Sequence, residues 1–212
     1  AGAPAAINVN EDSANATAVT LGLSGLTYGT GGGSDESGQT LTYTITAIPA
    51  HITLWKTDGV TQVASGSAVT LAELQGLKYK TIADANGSSN LTWTVVDNGG
   101  QANGGVNTLT ENLAITVNAV NDAPVNTVPT AQLTSKNTVI VFSAANGNQI
   151  AISDVDAGGT AMQVTMTATN GTITLAGTTG LSFSVGNGTA NATMTFTGAI
   201  ANINAALNGV SF

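Results

Sequence analysis

The sequence predicts an all-β chain made of two tandem β-sandwich modules. Three observations carry that expectation: short runs in which apolar and hydroxyl residues alternate, Gly- and Asn-rich stretches between them, and a repeat of the whole pattern. In Leu41-Thr42-Tyr43-Thr44-Ile45-Thr46 the alternation is strict, and Leu91-Thr92-Trp93-Thr94-Val95 repeats it. Successive side chains on a strand point to opposite faces, so such a run buries one face and wets the other. Ala18–Leu23, Ile52–Lys56, Leu77–Thr81 and Leu113–Val117 read as further strands. Gly29–Gly38 and Asn98–Gly105 punctuate them. Only Leu71–Leu74 and Ile200–Leu207 look helical. Many short strands with regular turn signals imply sandwiches.

The repeat shows as Ile52-Thr53-Leu54 against Ile173-Thr174-Leu175, an offset of 121, and Asp35 meets Asp156 at the same offset. Leu74-Gln75-Gly76-Leu77-Lys78-Tyr79 then resembles Leu207-Asn208-Gly209-Val210-Ser211-Phe212 at an offset of 133. The 12 extra residues fit a longer hairpin around Thr178–Ala192. The linker is Asn118–Val125, with Pro124 making it stiff. The modules expected are therefore 1–122 and 123–212. Phe212 aligns with Tyr79, so the second module lacks counterparts of the Leu91–Val96 and Leu113–Val117 strands. The expectation is a second module truncated before its last strands. The other reading is that a neighbouring chain supplies them by β-augmentation.

Composition excludes several function classes. Twelve acidic residues face four lysines and no arginine, for a net charge of -8. Nucleic acid requires a basic stripe, and an anionic membrane surface would repel this chain. An acidic surface favours divalent cations. At 42% hydrophobic residues the chain is foldable, not disordered. Its 4% aromatic content points to a core of small aliphatic side chains. With no cysteine, rigidity cannot come from disulfides. Ala1–Ala6 has neither the charged nor the apolar region of a signal peptide, and no apolar run reaches the ~18 residues of a membrane span.

Val9-Asn10-Glu11-Asp12-Ser13, Leu41-Thr42-Tyr43-Thr44-Ile45, Val95-Val96-Asp97-Asn98-Gly99-Gly100 and Val120-Asn121-Asp122-Ala123-Pro124-Val125 together resemble bacterial cadherin-like (immunoglobulin-like) repeats. Such repeats fill large type I-secreted adhesins of the RTX and biofilm-associated kind. Ile152-Ser153-Asp154-Val155-Asp156 and Ile203-Asn204-Ala205-Ala206-Leu207-Asn208-Gly209 extend the resemblance to the second copy. It implies seven-stranded sandwiches in tandem, calcium at the junctions, and a secreted or cell-surface role in display or adhesion. The implied partners are neighbouring repeats of the same chain and a host-surface, carbohydrate or matrix ligand. Two departures stand out. The first copy has Asp35-Glu36 in place of a fuller Asp-x-Asp motif. The second has Lys136-Asn137 where the first has Glu11-Asp12, so a calcium site below the second copy is expected to be weak or absent.

Calcium takes six to eight oxygen ligands, and no EF-hand loop or nonapeptide array supplies them here. A sandwich places alternate loops at opposite ends. That logic gathers Glu11, Asp84 and Asn86 at the lower end of the first module. The linker pair Asn121 and Asp122 follows, and Asp154 and Asp156 top the second module. Such carboxylates would repel one another without a cation. The plainer reading is that Asp and Asn are simply turn formers. Asp35, Glu36 and Asp97 form a second acidic set at the upper end of the first module, either a further metal site or a solvated rim.

No catalytic constellation is legible, and the chain is expected not to be an enzyme. His51 is the sole histidine and there is no cysteine to join it, so a turn or edge residue is the reading. Gly29-Thr30-Gly31-Gly32-Gly33 is followed by carboxylates and no lysine, which rules against a phosphate cradle. Trp93, in mid-strand, reads as core. Trp55, beside the turn Lys56-Thr57-Asp58-Gly59, either stacks on a sugar or packs at the sandwich edge, and Tyr28 is the other candidate for an aromatic platform.

Overall fold

The structure, a computed structural model, describes residues 4–31, 36, 38–101 and 105–212. Among the described residues it is β-rich with two short helices, and the chain divides into two compact units, 1–120 and 121–212. Val120 lies inside the expected linker.

The first unit holds β1 (Ile7–Asn10), β2 (Val19–Thr20), β3 (Leu41–Ala47), β4 (Ile52–Trp55), β5 (Gln62–Val63), β6 (Ala68–Val69), α1 (Leu71–Gln75), β7 (Lys78–Thr81), β8 (Gly87–Asp97) and β9 (Thr108–Asn118). They form one five-stranded sheet, β1-β9-β8-β3-β6, and one four-stranded sheet, β2-β7-β4-β5. β1 runs parallel to β9, and the other pairs are antiparallel. Alternation does what the sequence implies. Tyr43 and Ile45 of β3, Leu91, Trp93 and Val95 of β8, and Leu113, Ile115 and Val117 of β9 point inward. There they meet Ile52 and Leu54 of β4 and Tyr79 of β7 in a single core. Trp93 is fully buried, and its indole N–H donates to the Tyr28 hydroxyl at 2.9 Å. Burial pushes the Tyr28 pKa up, with the Trp93 bond working against that rise.

α1 is one capping box. The Thr70 hydroxyl accepts the Glu73 N–H, and the Glu73 carboxylate accepts the Thr70 N–H. Lys56 binds the same carboxylate at 2.7 Å. The hairpin turn after β4 is held by Asp58, which accepts the N–H groups of Val60 and Thr61, both at 2.9 Å. Gly59 takes φ +69° there, a conformation that costs glycine nothing.

β8 and β9 are longer than their apolar cores suggested, because Gly87–Asn90 and Thr108–Thr110 continue the ladder with mostly exposed polar residues. His51 sits in a turn, and it is buried. A Cβ at Gly87 would meet its Nδ1 at 3.4 Å, and its Nε2 is buried without a hydrogen-bond partner.

The second unit holds β10 (Val125–Thr127), β11 (Val141–Phe142), β12 (Ala151–Ser153), β13 (Met162–Thr167), β14 (Ser182–Val185), β15 (Thr193–Gly198), α2 (Ile200–Leu207) and β16 (Val210–Ser211). β10 pairs with β12, β11 with β16, and β15 lies between β13 and β14. The expected longer hairpin is β14–β15. α2 buries Ile203, Ala206 and Leu207 against Phe196, Met194, Leu175 and Val210. Its Asn204 side chain accepts the Ile152 N–H and donates to the Ile152 carbonyl, both at 2.9 Å, closing one edge of β12.

Candidate metal centre

At the end of β1 the parallel ladder with β9 runs out at Asn10 and Asn118, and the next N–H, that of Glu11, donates to the Asn118 carbonyl at 2.9 Å. Glu11 is only 2% exposed. A carboxylate so placed must be satisfied by donors. One oxygen accepts the Val120 N–H at 2.7 Å, and the other accepts the Asn86 side-chain amide at 3.3 Å. Glu11 thus ties the strand exit at Val120 to the Asp84–Asn86 turn.

The outward-facing carboxylates beside it are Asp12 and Asp84. Both are exposed, and both take the left-handed conformation, at φ +64° and +58°. They offer carboxylate oxygens within 4.8 Å of each other. Two oxygens on one calcium, each about 2.3–2.6 Å from it, are at most about 5 Å apart, so this spacing fits a shared ion. Asp12 also accepts the Asn15 amide at 3.2 Å. Asp12 was not among the ligands expected from sequence. Its signal was only its adjacency to Glu11, since the turn that presents it is not visible in a linear pattern.

In the second unit, the Asp122 N–H donates to a carboxylate oxygen of Asp156, and the Asp156 N–H donates to Asp154 at 2.9 Å. The structure therefore brings Asp122, Asp154 and Asp156 together, all three partly buried. Asn121 is exposed, and its amide donates to the Asp122 carbonyl at 2.7 Å. Asn137 holds φ +62°, as Asp12 does at +64°, so the turn after Lys136 keeps the backbone of its first-unit counterpart but not its carboxylates.

Of the second acidic set, Asp35 lies outside the described residues. Glu36 and Asp97 both line an open cavity of about 330 Å³ with Tyr28, Leu41 and Val95. Asp97 accepts the Gly99 N–H at 2.8 Å. This cavity lies at the far end of β8 from Asn86. With eleven residues in β8, the separation is about 33 Å along the strand.

Trp55 is half-buried in β4. Its indole N–H donates to the Thr53 hydroxyl at 2.8 Å, and the Lys80 ammonium sits 4.6 Å from its ring centroid. One face of the ring is thus occupied by a cation rather than open to a sugar. The Tyr28 ring packs on Tyr43 with centroids 5.6 Å apart. No protein-family model, curated protein or solved structure matches this chain.

Proposed function

We propose that this chain is a structural and adhesion module of a bacterial extracellular surface protein. Its units are cadherin-like β-sandwiches that extend a binding tip, with calcium-stiffened junctions. The observation that carries the reading is the exit of the first unit. There Glu11 anchors Val120 and the Asn86 turn, while Asp12 and Asp84 present two carboxylates at the spacing of a shared ion.

The residues present fit calcium. Carboxylate and amide oxygens are the donors a hard cation takes, and the chain has no cysteine to compete with them. Asp12 and Asp84 would bind it directly, and Glu11 would hold them in place through the Asn86 turn. Asn121 and Asp122 follow Val120 in the chain, and Asp154 and Asp156 are linked to Asp122 by hydrogen bonds. When bound, calcium supplies charge neutralisation and a common centre for oxygens that otherwise repel. The module itself carries no catalytic role in this reading. Its partners are neighbouring repeats and a surface ligand.

The test is thermal unfolding in EDTA and in millimolar calcium. An ion present at 100 times its dissociation constant and binding only the folded state adds about 2.7 kcal/mol. A calcium-dependent rise in Tm that disappears in Asp12→Asn plus Asp84→Asn supports the reading. Superimposable curves for the unsubstituted chain would remove calcium from it.

A further inference from the structure

The charges of the first unit are divided between its two sheets. β2, β4, β5 and β7 contain no acidic residue, and β7 carries Lys78 and Lys80. The strands of the five-stranded sheet contain no lysine and carry Asp97 and Glu111. Lys56, the remaining lysine of the unit, directly follows β4 and is held by Glu73 at 2.7 Å. Alternation sets the direction of the other two. Tyr79 and Thr81 are buried, so Lys78 and Lys80 stand on the outer face of their sheet. Thr53 and Trp55 share that face, since Ile52 and Leu54 turn inward. Trp55 lies opposite Lys78, and Thr53 opposite Lys80. Gln62, opposite Trp55, and Thr20, opposite Lys78, complete the face.

Among the described residues, neither Lys78 nor Lys80 is in a salt bridge, although the chain has twelve acidic residues to four lysines. Lys80 has an aromatic ring in place of a carboxylate. Its ammonium lies 4.6 Å from the centroid of Trp55, whose indole is fixed by its 2.8 Å bond to the Thr53 hydroxyl. A ring attracts a cation through its quadrupole and carries no net charge, so the positive charge stays unneutralised. Lys78 and Lys80 are two residues apart on one side of one strand, about 7 Å between Cα atoms. Their ammonium groups repel, and an anion beside both relieves that repulsion.

We propose that this face binds an acidic polysaccharide whose sugars carry carboxylates, a chain of uronic acids. Lys78 and Lys80 pair with its carboxylates. Trp55 is a positioning residue that holds the Lys80 ammonium, and the exposed Thr20 and Gln62 hydrogen-bond sugar hydroxyls. Charge complementarity sets the sign of the ligand, and the side chains set its class. A protein partner needs apolar anchors at the centre of its interface, whereas lysine, threonine and glutamine make up most of this face. Phosphate and sulfate are matched best by the arginine fork, and the chain has no arginine. The compact, strongly hydrated ammonium of lysine suits the equally compact carboxylate. The face shares no residue with the group formed by Glu11, Asp12 and Asp84, so the proposal stands apart from calcium.

The test titrates the full chain with an oligomer of galacturonic acid in low-salt EDTA and follows the two tryptophan indole N–H signals by NMR. The expected result is saturable binding that shifts the Trp55 signal and leaves that of the fully buried Trp93 in place. Added salt should weaken it. Lys78→Gln plus Lys80→Gln should weaken it about fivefold or more, the loss of two exposed ion pairs. Lys80→Arg, which keeps the charge, and Lys136→Gln in the second unit should both retain it. No saturable binding overturns the proposal. So does binding that the double variant, folded with an unchanged Tm, leaves as it was. Equal binding of the methyl-esterified oligomer, which keeps the sugar and loses the charge, overturns it on the unsubstituted chain. Tighter binding to phosphatidylserine vesicles overturns it in favour of a lipid surface. Every readout is taken without calcium, so this proposal and the calcium reading fail separately.

Discussion

Asp84→Asn should raise stability without calcium and lower it with calcium. The two side chains are nearly isosteric, and Asn tolerates the left-handed backbone that Asp84 holds at φ +58°. Charge is therefore what changes. Two unit charges at the 4.8 Å limit that separates Asp84 from Asp12 repel by about 0.9 kcal/mol in a medium like bulk water, and by about 3.5 kcal/mol at an effective dielectric of 20. Both groups are exposed, so the lower figure applies, and salt screens it further. About 1 kcal/mol moves the Tm of a domain this size by roughly 4 °C. In low-salt EDTA the variant should therefore melt up to about 4 °C higher. In calcium it has lost a charged ligand, and a tenfold weaker site forfeits about 1.4 kcal/mol of linkage, which outweighs the relieved repulsion by about 0.5 kcal/mol, a net fall of roughly 2 °C. Differential scanning calorimetry under both conditions reads the reversal. A shift of the same sign in EDTA and in calcium would refute the reasoning.

Glu11→Ala should cost about 2–4 kcal/mol in urea unfolding, because it leaves the Val120 N–H and the Asn86 amide without their acceptor. Glu11→Gln keeps an acceptor and should lose less than half of that. Acid should weaken the first unit as pH falls from about 4.5 towards 2. Hydrogen bonds from Thr61 and Val60 hold the Asp58 pKa at about 2, and Lys56 and Thr70 hold that of Glu73 at about 2. Groups with depressed values contribute above their unfolded pKa and lose that contribution as pH falls through the folded one. Asp58→Asn should flatten the decline of Tm with pH over that window.

Much of the fold was legible because burial on one side of a sheet writes a period of two into the sequence. β3 and the core of β8 follow that rule residue by residue, and α2 announces itself through apolar spacing around Ile203, Ala206 and Leu207. The outer ends of β8 and β9 were not legible. There the ladder is held by backbone hydrogen bonds, and exposed Ser, Asn and Thr carry no pattern. Burial of His51 was hidden because it comes from residues distant in sequence, Gly87 among its neighbours. The approach of Glu11 to Asn86 could be argued from which loops share an end of a sandwich. The part played by Asp12 could not, since it depends on a left-handed turn at one residue.

The most direct measurement is calorimetric titration of the chelator-stripped chain with calcium. The account predicts saturable binding with a dissociation constant of about 1 mM or tighter, the range of extracellular calcium modules, weakened in Asp84→Asn. Heats of dilution alone through about 10 mM calcium, well beyond that range, would contradict a calcium-stiffened module.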